Sequence, residues 1–376
     1  MNPPFCPNPK CSFHHSTPEA YRPFWFHYGY HYTKVVGMVP RFKCIACGRS
    51  YSERTFSIHY YTKKNLDLKE IHRAISQSES LSSIARKMGC KGDSIQNRID
   101  RLGRSSIAVH SRLTSKMSLS EHITADGFES FERSQYFPNQ INLVLGKNSQ
   151  FLYGYSHTTI RRKGRMTKKQ KKTRAELEKS FRPKKNATTL AFMEALKVLE
   201  KVWKPEEVTK LELWTDEHKA YPIALKRVPR LNEALAKGEL IHKTHSSKAI
   251  RTKHNPLFSA NYYDRELRKD LAAFRRESTC FSRNVCCGLM RFNLHLIYHN
   301  YYKLYRIKEP LVNFVHAEAA GLPLFMIEEE LKGYYEDRRF LSKLKLSDEE
   351  RRIWLKQAKT PLKEKPDYVP KFAKVA

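Results

Sequence analysis

The sequence has no apolar run approaching the roughly 20 residues that a membrane span needs. The nearest, Val312 to Ile327, is interrupted by His316 and Glu318. The N-terminus, MNPPFCPNPKC, has no charged start followed by an apolar block, which argues against a secretory signal. No internal repeat of fixed period is present. Acids are scarce: 38 Asp and Glu face 70 Lys and Arg, a formal net charge of +32 over 376 residues. That surplus disfavours an embedded or purely structural protein and asks for a polyanionic partner. Hydrophobic residues make up 40% and aromatics 12%, enough to bury a core, so the chain is not a disordered basic tail. Its length suits two or three domains. The expected compartment is the cytoplasm or nucleoid, where eight cysteines more often bind metal than pair as disulfides.

Four of those cysteines fall in two close pairs. Cys6 and Cys11 form C-x4-C, and Cys44 and Cys47 form C-x2-C within RFKCIACGRSYS. Two pairs presented by tight turns supply the four ligands of a tetrahedral Zn²⁺ site. Gly48 permits a left-handed turn after the second pair, and Phe42 and Tyr51 flank the knuckle of a unit too small for a core of its own. His14 and His15 compete as ligands, although their closeness to Cys11 strains the geometry. The plain alternative is four unrelated buried thiols. Residues 1–60 therefore read as a structural zinc ribbon.

Helical spacing follows. Leu68, Ile71 and Ile75, then Leu81, Ile84, Ala85 and Met88, then Ile95, Ile99 and Leu102 fall on three successive faces. Ser80 and Asp93 are the expected caps of the second and third helices, with Gly89 in the turn between them. Such a trihelical unit, over 61–115, places its last helix in a major groove. Gln96, Asn97, Arg98 and Arg101 would face outward to reach base edges or phosphates. An ordinary three-helix linker with a solvated basic face is the competing reading.

The middle of the chain reads as strands, HITADGF, INLVLG and QFLYGYS, with KLELWTD and LIHKTH further on and an amphipathic helix at 188–202. Asp126 is expected to end one strand, and Asp216 another after a buried Trp214. A carboxylate at the end of an apolar strand is costly to desolvate unless a cation sits there. Two such ends on neighbouring strands offer oxygen ligands to divalent ions. Two Mg²⁺ (or Mn²⁺) ions would activate a water or 3′-hydroxyl and stabilise the leaving oxygen of a phosphodiester. The third ligand is expected from the helix over 261–278, whose buried stripe is Tyr263, Leu267, Leu271 and Phe274. Asp264 lies near the edge of that stripe and Glu266 further round on the other side. Arg265, Arg268, Arg275 and Arg276 would then lie near the substrate phosphates.

The CIACGRSYS knuckle, SLSSIARKMGCKGDSIQNRIDRL, ITADGF, LWTDEHKAYP and NPLFSANYYDRELRKDLAAFRRESTCFSRN occur in that order. Together they resemble a DDE-class transposase of short bacterial insertion sequences, with a zinc ribbon and helix-turn-helix in front. The resemblance spans roughly residues 1–320. It implies a ribonuclease-H-like mixed sheet with helices, a two-metal site, and cleavage and joining at terminal inverted repeats by an oligomer holding two DNA ends. Matched motif by motif, Asp126 and Asp216 are the first two acids. The third position departs from the family pattern: Asp264 followed by Arg265 stands where relatives have Glu followed by Arg. An alignment anchored on Leu267, Arg268 and CFSR instead sets Asn261 opposite the catalytic Glu. His245 matches a histidine often found on the preceding strand, where it would orient a phosphate or a water; a buried structural histidine is the plain alternative.

Between Arg161 and Lys185 the chain has 13 Lys or Arg against Glu176 and Glu178. It reads as a cationic loop that neutralises phosphates through Arg161, Arg162, Lys163, Lys168 and Lys169, or as a solvated insertion that orders on DNA. The expected fold is α/β and multidomain: ribbon 1–60, helix-turn-helix 61–115, catalytic domain 118–305 with a basic insertion at 158–187, and a helical, basic tail 306–376. The expected partner is double-stranded DNA, with no membrane. Alternatives are a degenerate copy that only binds DNA, and a nuclease that cuts without joining.

Overall fold

Two sheets organise the computed structural model, which describes residues 2–16, 23–131, 133–275, 279–306 and 313–375. Arg276 and Val312 lie outside the described residues. The first sheet is antiparallel: β1 (Trp25–Thr33), β2 (Gly37–Cys44) and β3 (Ser50–Ser52). Cys6, Cys11 and Cys44 are buried with Phe24, Phe42 and Tyr51 in a small core of their own. That unit leans on the C-terminal part of the chain. The Phe5 ring lies 5.0 Å from Phe340, and the Ile58 and Arg338 amides donate to the Glu336 and Phe56 carbonyls at 2.8 and 2.7 Å.

Three helices follow: α1 (Leu68–Ser76), α2 (Leu81–Lys87) and α3 (Gly92–Ser115). Ser80 caps α2 by accepting the Ser83 amide at 3.2 Å, and Gly89 turns the chain at φ +56°. Asp93 does not cap α3; Lys91 holds that position and Asp93 lies in the first turn. The apolar period runs on past Leu102 through Ala108, Val109 and Leu113, all buried, so α3 extends far into the main core. Gly103 lets a later helix, α9, approach closely. A Cβ there would meet the Met290 Sδ at 2.7 Å.

The second sheet has five strands in the order β6-β5-β4-β7-β8: β4 (Ile123–Phe131), β5 (Pro138–Gly146), β6 (Leu152–Thr159), β7 (Leu211–Thr215) and β8 (Leu240–Thr244). β4, β5 and β6 pair antiparallel, while β7 and β8 run parallel to β4. Every residue of β5 is buried, as befits a strand covered on both faces. Between β6 and β7 come α4 (Lys168–Ser180) and α5 (Ala187–Val202), and between β7 and β8 come α6 (Ala220–Arg227) and α7 (Pro229–Lys237). Crossovers of this length are what parallel strands require. After β8, α8 (Phe258–Asp270) packs on β4 and β5, and α9 (Val285–Tyr301) packs along α3. This mixed α/β arrangement is compatible with the expected ribonuclease-H-like sheet.

Four expectations change. Asp126 sits mid-strand, because β4 runs on to Phe131. Trp214 is half-buried, with the Lys147 and Lys243 ammoniums 4.7 and 5.2 Å from its ring. The basic run is not a loop. Thr167 and Gln170 form a capping box that starts α4, and the Arg161 guanidinium clamps the Glu178 carboxylate at 2.6 and 2.8 Å. Residues 313–375 are no appended tail. They include α10 (Leu324–Leu331), α11 (Asp348–Trp354) and α12 (Lys371–Val375). Tyr334 and Trp354 belong to the main core, and Glu349 accepts the His157 amide of β6 at 2.8 Å.

Candidate active site and metal centres

The register of the main sheet brings the first two acids together. β4 and β7 pair Thr124 with Trp214; Asp126 lies two residues further along β4, and Asp216 follows directly on the end of β7, where its charge acts on Asp126. The Asp126 Oδ1 accepts the Gly127 amide at 2.7 Å and the Tyr221 hydroxyl at 3.3 Å. The Asp216 Oδ1 accepts the His218 amide at 2.9 Å. Burial pushes the Asp126 carboxyl above its ordinary range, and the Asp216 charge adds to it. The Gly127 amide and Tyr221 hydroxyl pull the other way.

Tyr221 bonds Asp126 and feels the charge of the other two acids. It is buried at the start of α6 against Phe192. Its hydroxyl is raised well above the ordinary value by burial and then by the charges of Asp126, Asp216 and Asp264. Tyr221 thus stays a neutral donor among three carboxylates. The sequence reading gave it no role, although an aromatic five residues after Asp216, opening a helix, was the available signal.

Asp264 is half-buried on α8, one turn before Arg268, which packs on Phe128 of β4. Tyr263, Leu267, Leu271 and Phe274 are all buried as expected, but the helix expected over 261–278 runs instead over Phe258–Asp270, so Leu271 and Phe274 lie beyond its end. The reserve ligand Glu266 is already engaged by two lysines. It is buried and ion-paired to Lys303, just past the end of α9, and to Lys269 at 3.0 Å. The Asn261 amide donates to the Leu257 carbonyl at 3.0 Å. Arg265 is exposed beside Tyr262, with its guanidinium 5.1 Å from the ring. Arg268 reaches back over Phe128 and donates to the Glu129 carbonyl at 3.0 Å. His245 donates its amide to the Thr215 carbonyl at 2.9 Å, at the same strand ends as Asp216. Oxygen donors of this kind suit a hard divalent cation, and a carboxylate already raised by its neighbours gains most from one.

The four thiols form a tighter group. The Cys6–Cys47 and Cys11–Cys44 sulfurs lie 3.6 and 3.8 Å apart. A zinc tetrahedron with Zn–S bonds of about 2.3 Å has edges of about 3.8 Å, so the cysteines fit a zinc ion. Burial raises the Cys47 thiol, but hydrogen bonds from Arg49, Asn8 and the neighbouring thiols outweigh it and bring it down to about 7. His14 is not a ligand. Its Nδ1 bonds the Cys6 carbonyl at 2.7 Å and its Nε2 the Ser342 hydroxyl at 2.8 Å. Among the described residues these thiols are the only group of three or more His, Cys, Asp or Glu side chains whose ligand atoms all come within 4.8 Å of one another. The three aspartates are spaced more widely.

The face of α3 expected to read DNA is largely covered. Gln96 bonds Asp100 at 2.8 Å and Arg291 of α9 at 2.9 Å. Arg98 and Arg101 are buried, donating to the Lys64 and Ile58 carbonyls at 2.8 and 2.7 Å. The segment at 58–64, α9 and residues near the C-terminal end of the chain pack over what an isolated three-helix unit would leave free. Asn97 lines a groove. In the basic segment, Lys163, Lys168 and Lys169 are exposed, while Arg162 donates to Gln135 at 2.7 Å.

No protein-family model matches the chain, and no curated protein does. One solved structure with a similar course of chain is the HTLV-2 integrase catalytic core domain in complex with magnesium (dimeric form). It is 12% identical, over 55% of this chain and 98% of that one, with a TM-score of 0.28. A score of that size leaves the fold to be read from the strand order itself. Among the described residues no helix is long and apolar enough to cross a membrane.

Proposed function

We propose that this protein is a metal-dependent DNA transposase that cleaves and joins strands at the terminal inverted repeats of an insertion sequence. One observation carries the reading: Asp126 of β4 and Asp216, directly after the adjacent parallel β7, lie near enough for their charges to interact, and the buried Tyr221 hydroxyl that bonds Asp126 also feels the charges of Asp216 and Asp264. Asp126, Asp216 and Asp264 would hold two Mg²⁺ or Mn²⁺ ions. When bound, such ions supply an activated hydroxyl and stabilise the leaving oxygen of a phosphodiester. Tyr221 keeps one Asp126 oxygen oriented by its hydrogen bond, while Glu266 anchors α8 through Lys303. Arg265 and the exposed lysines of the basic segment supply sequence-independent attraction for DNA, and the cysteines hold a structural zinc ion. The protein would act as a homo-oligomer on two element ends. The deciding experiment mixes purified protein with Mn²⁺ and an oligonucleotide bearing an element end. Nicked and joined products, both lost in Asp126→Asn, are expected. Binding without nicking points to a DNA-binding protein only, and nicking without joining to a nuclease.

A further inference from the structure

A groove of about 1130 Å³ lies between the cysteine knuckles, the segment at 60–64, the N-terminal end of α3 and the C-terminal residues 368–372. Lys63, Lys64, Lys91 and Lys371 are exposed on its rim, and Asp93 is the one acid in its lining. Its floor is made by Arg98, Arg101 and Arg338. The first two are only 5% and 8% exposed. Every hydrogen-bond acceptor of the three is neutral. Arg98 and Arg101 share the Asn97 side-chain oxygen at 2.8 and 3.0 Å and reach the Lys64 and Ile58 carbonyls. Arg338 donates to the Thr55 and Phe372 carbonyls at 3.1 and 2.9 Å.

Neutral acceptors satisfy these donors without cancelling their charge, and burying like charges together is unfavourable unless an anion completes the site. Burial and the neighbouring guanidiniums bring Arg101 down to about 9, and burial brings Arg338 to about 10. A planar guanidinium already fixed in place is the group best suited to a phosphate. Two aromatic rings also line the groove without being packed away: Tyr61 and Tyr368 are 78% and 81% exposed. Tyr61 holds φ +57°, a conformation a non-glycine residue adopts only at a cost. A duplex hides its base faces in the stack, so exposed rings find base partners only where nucleotides are unpaired.

We propose that this groove binds a single DNA strand, its phosphates on the Arg98, Arg101 and Arg338 floor and its unstacked bases on Tyr61 and Tyr368. The inference rests on the transposase reading only for the choice of DNA as the polyanion. It assigns strand binding to the junction of ribbon, α3 and C-terminal segment, remote in sequence from the aspartates. The test uses the full, zinc-loaded chain without added Mg²⁺ or Mn²⁺ and a fluorescein-labelled single strand of about 12 nucleotides, followed by anisotropy against a duplex of the same sequence. The strand should bind more tightly than the duplex, and Tyr61→Ala and Tyr368→Ala should each weaken it about tenfold, as loss of one stacked base does. Both positions are exposed, so the variants should keep the wild-type circular dichroism and melting temperature. Arg101→Lys, which keeps the charge and loses the planar fork, should weaken the strand further. Unchanged strand affinity in both tyrosine variants, or tighter duplex binding by the wild type, overturns the proposal. Strand binding lost in the tyrosine variants while Mn²⁺ yields no nicking would leave the groove standing and remove the transposase reading. Nicking lost in Asp126→Asn with strand affinity untouched by the tyrosine variants would do the reverse.

Discussion

The cysteine knuckles and the aspartate cluster are both built from residues that can hold metal, yet they are assembled differently. The sulfurs already sit at the edge lengths of a zinc tetrahedron, because each pair is presented by one tight turn and only two turns must meet. The aspartates come from β4, the end of β7 and α8, and they stand further apart around Tyr221. Thiols tolerate this closeness because a protonated thiol carries no charge. Carboxylates at neutral pH repel, and only a cation repays their approach. A structural centre can therefore be largely preformed, while a cluster of acids stays more open, as the raised Asp126 carboxyl shows.

The largest expected effect sharpens the first half of that contrast. Cys44→Ser should lose bound zinc and with it the order of the ribbon, since structural zinc is worth about 10–16 kcal/mol in small domains. Metal analysis should give one zinc per wild-type chain and none in the variant. A variant that keeps its zinc would break the contrast. Next, Asp216→Asn should reduce nicking at least about 100-fold, the upper loss typical of removing a mere partner of a metal ligand, with zinc content unchanged.

Glu266→Gln separates a structural acid from a catalytic one. It leaves the Lys303 ammonium buried without its counter-charge, and the fold should lose about 3–5 kcal/mol, read as a lower midpoint in urea. Rescue of the midpoint by Lys303→Met with Glu266→Gln would confirm the pair.

The smallest effect has the opposite sign. The Asp126 carboxyl is raised in the folded protein. Its contribution is therefore fully present below the ordinary aspartate pKa and is lost as pH rises through the folded value. In zinc-loaded protein without added Mg²⁺ or Mn²⁺ at neutral pH, Asp126→Asn should raise the melting temperature slightly, and Mn²⁺ should stabilise the wild type more than the variant. Protons and cation compete for the same oxygens, so Mn²⁺ affinity should fall as pH drops through that raised pKa.

Much of this was legible in the chain where the signal is local. The cysteine spacing, the strands, the buried stripe of α8 and the Ser80 cap each depend on residues close in sequence. The capping box Thr167-x-x-Gln170 was an equally local signal for α4, masked by the density of charge around it. What could not be read was non-local. The outward face assigned to α3 is closed by residues up to 271 positions away, as when Arg101 stacks its guanidinium 4.7 Å from the Phe372 ring. The side of α8 that Glu266 faces is fixed by Lys303, beyond the next helix boundary. Tyr221 has no meaning until the parallel pairing of β4 and β7 places two carboxylates beside its hydroxyl.

The most direct test is Mn²⁺ binding followed by electron paramagnetic resonance on the zinc-loaded protein. Wild type should bind the ion, while Asp126→Asn, Asp216→Asn and Asp264→Asn should each lose most of that affinity and Glu266→Gln should keep it. Equal Mn²⁺ binding by the wild type and all three aspartate variants would contradict the account.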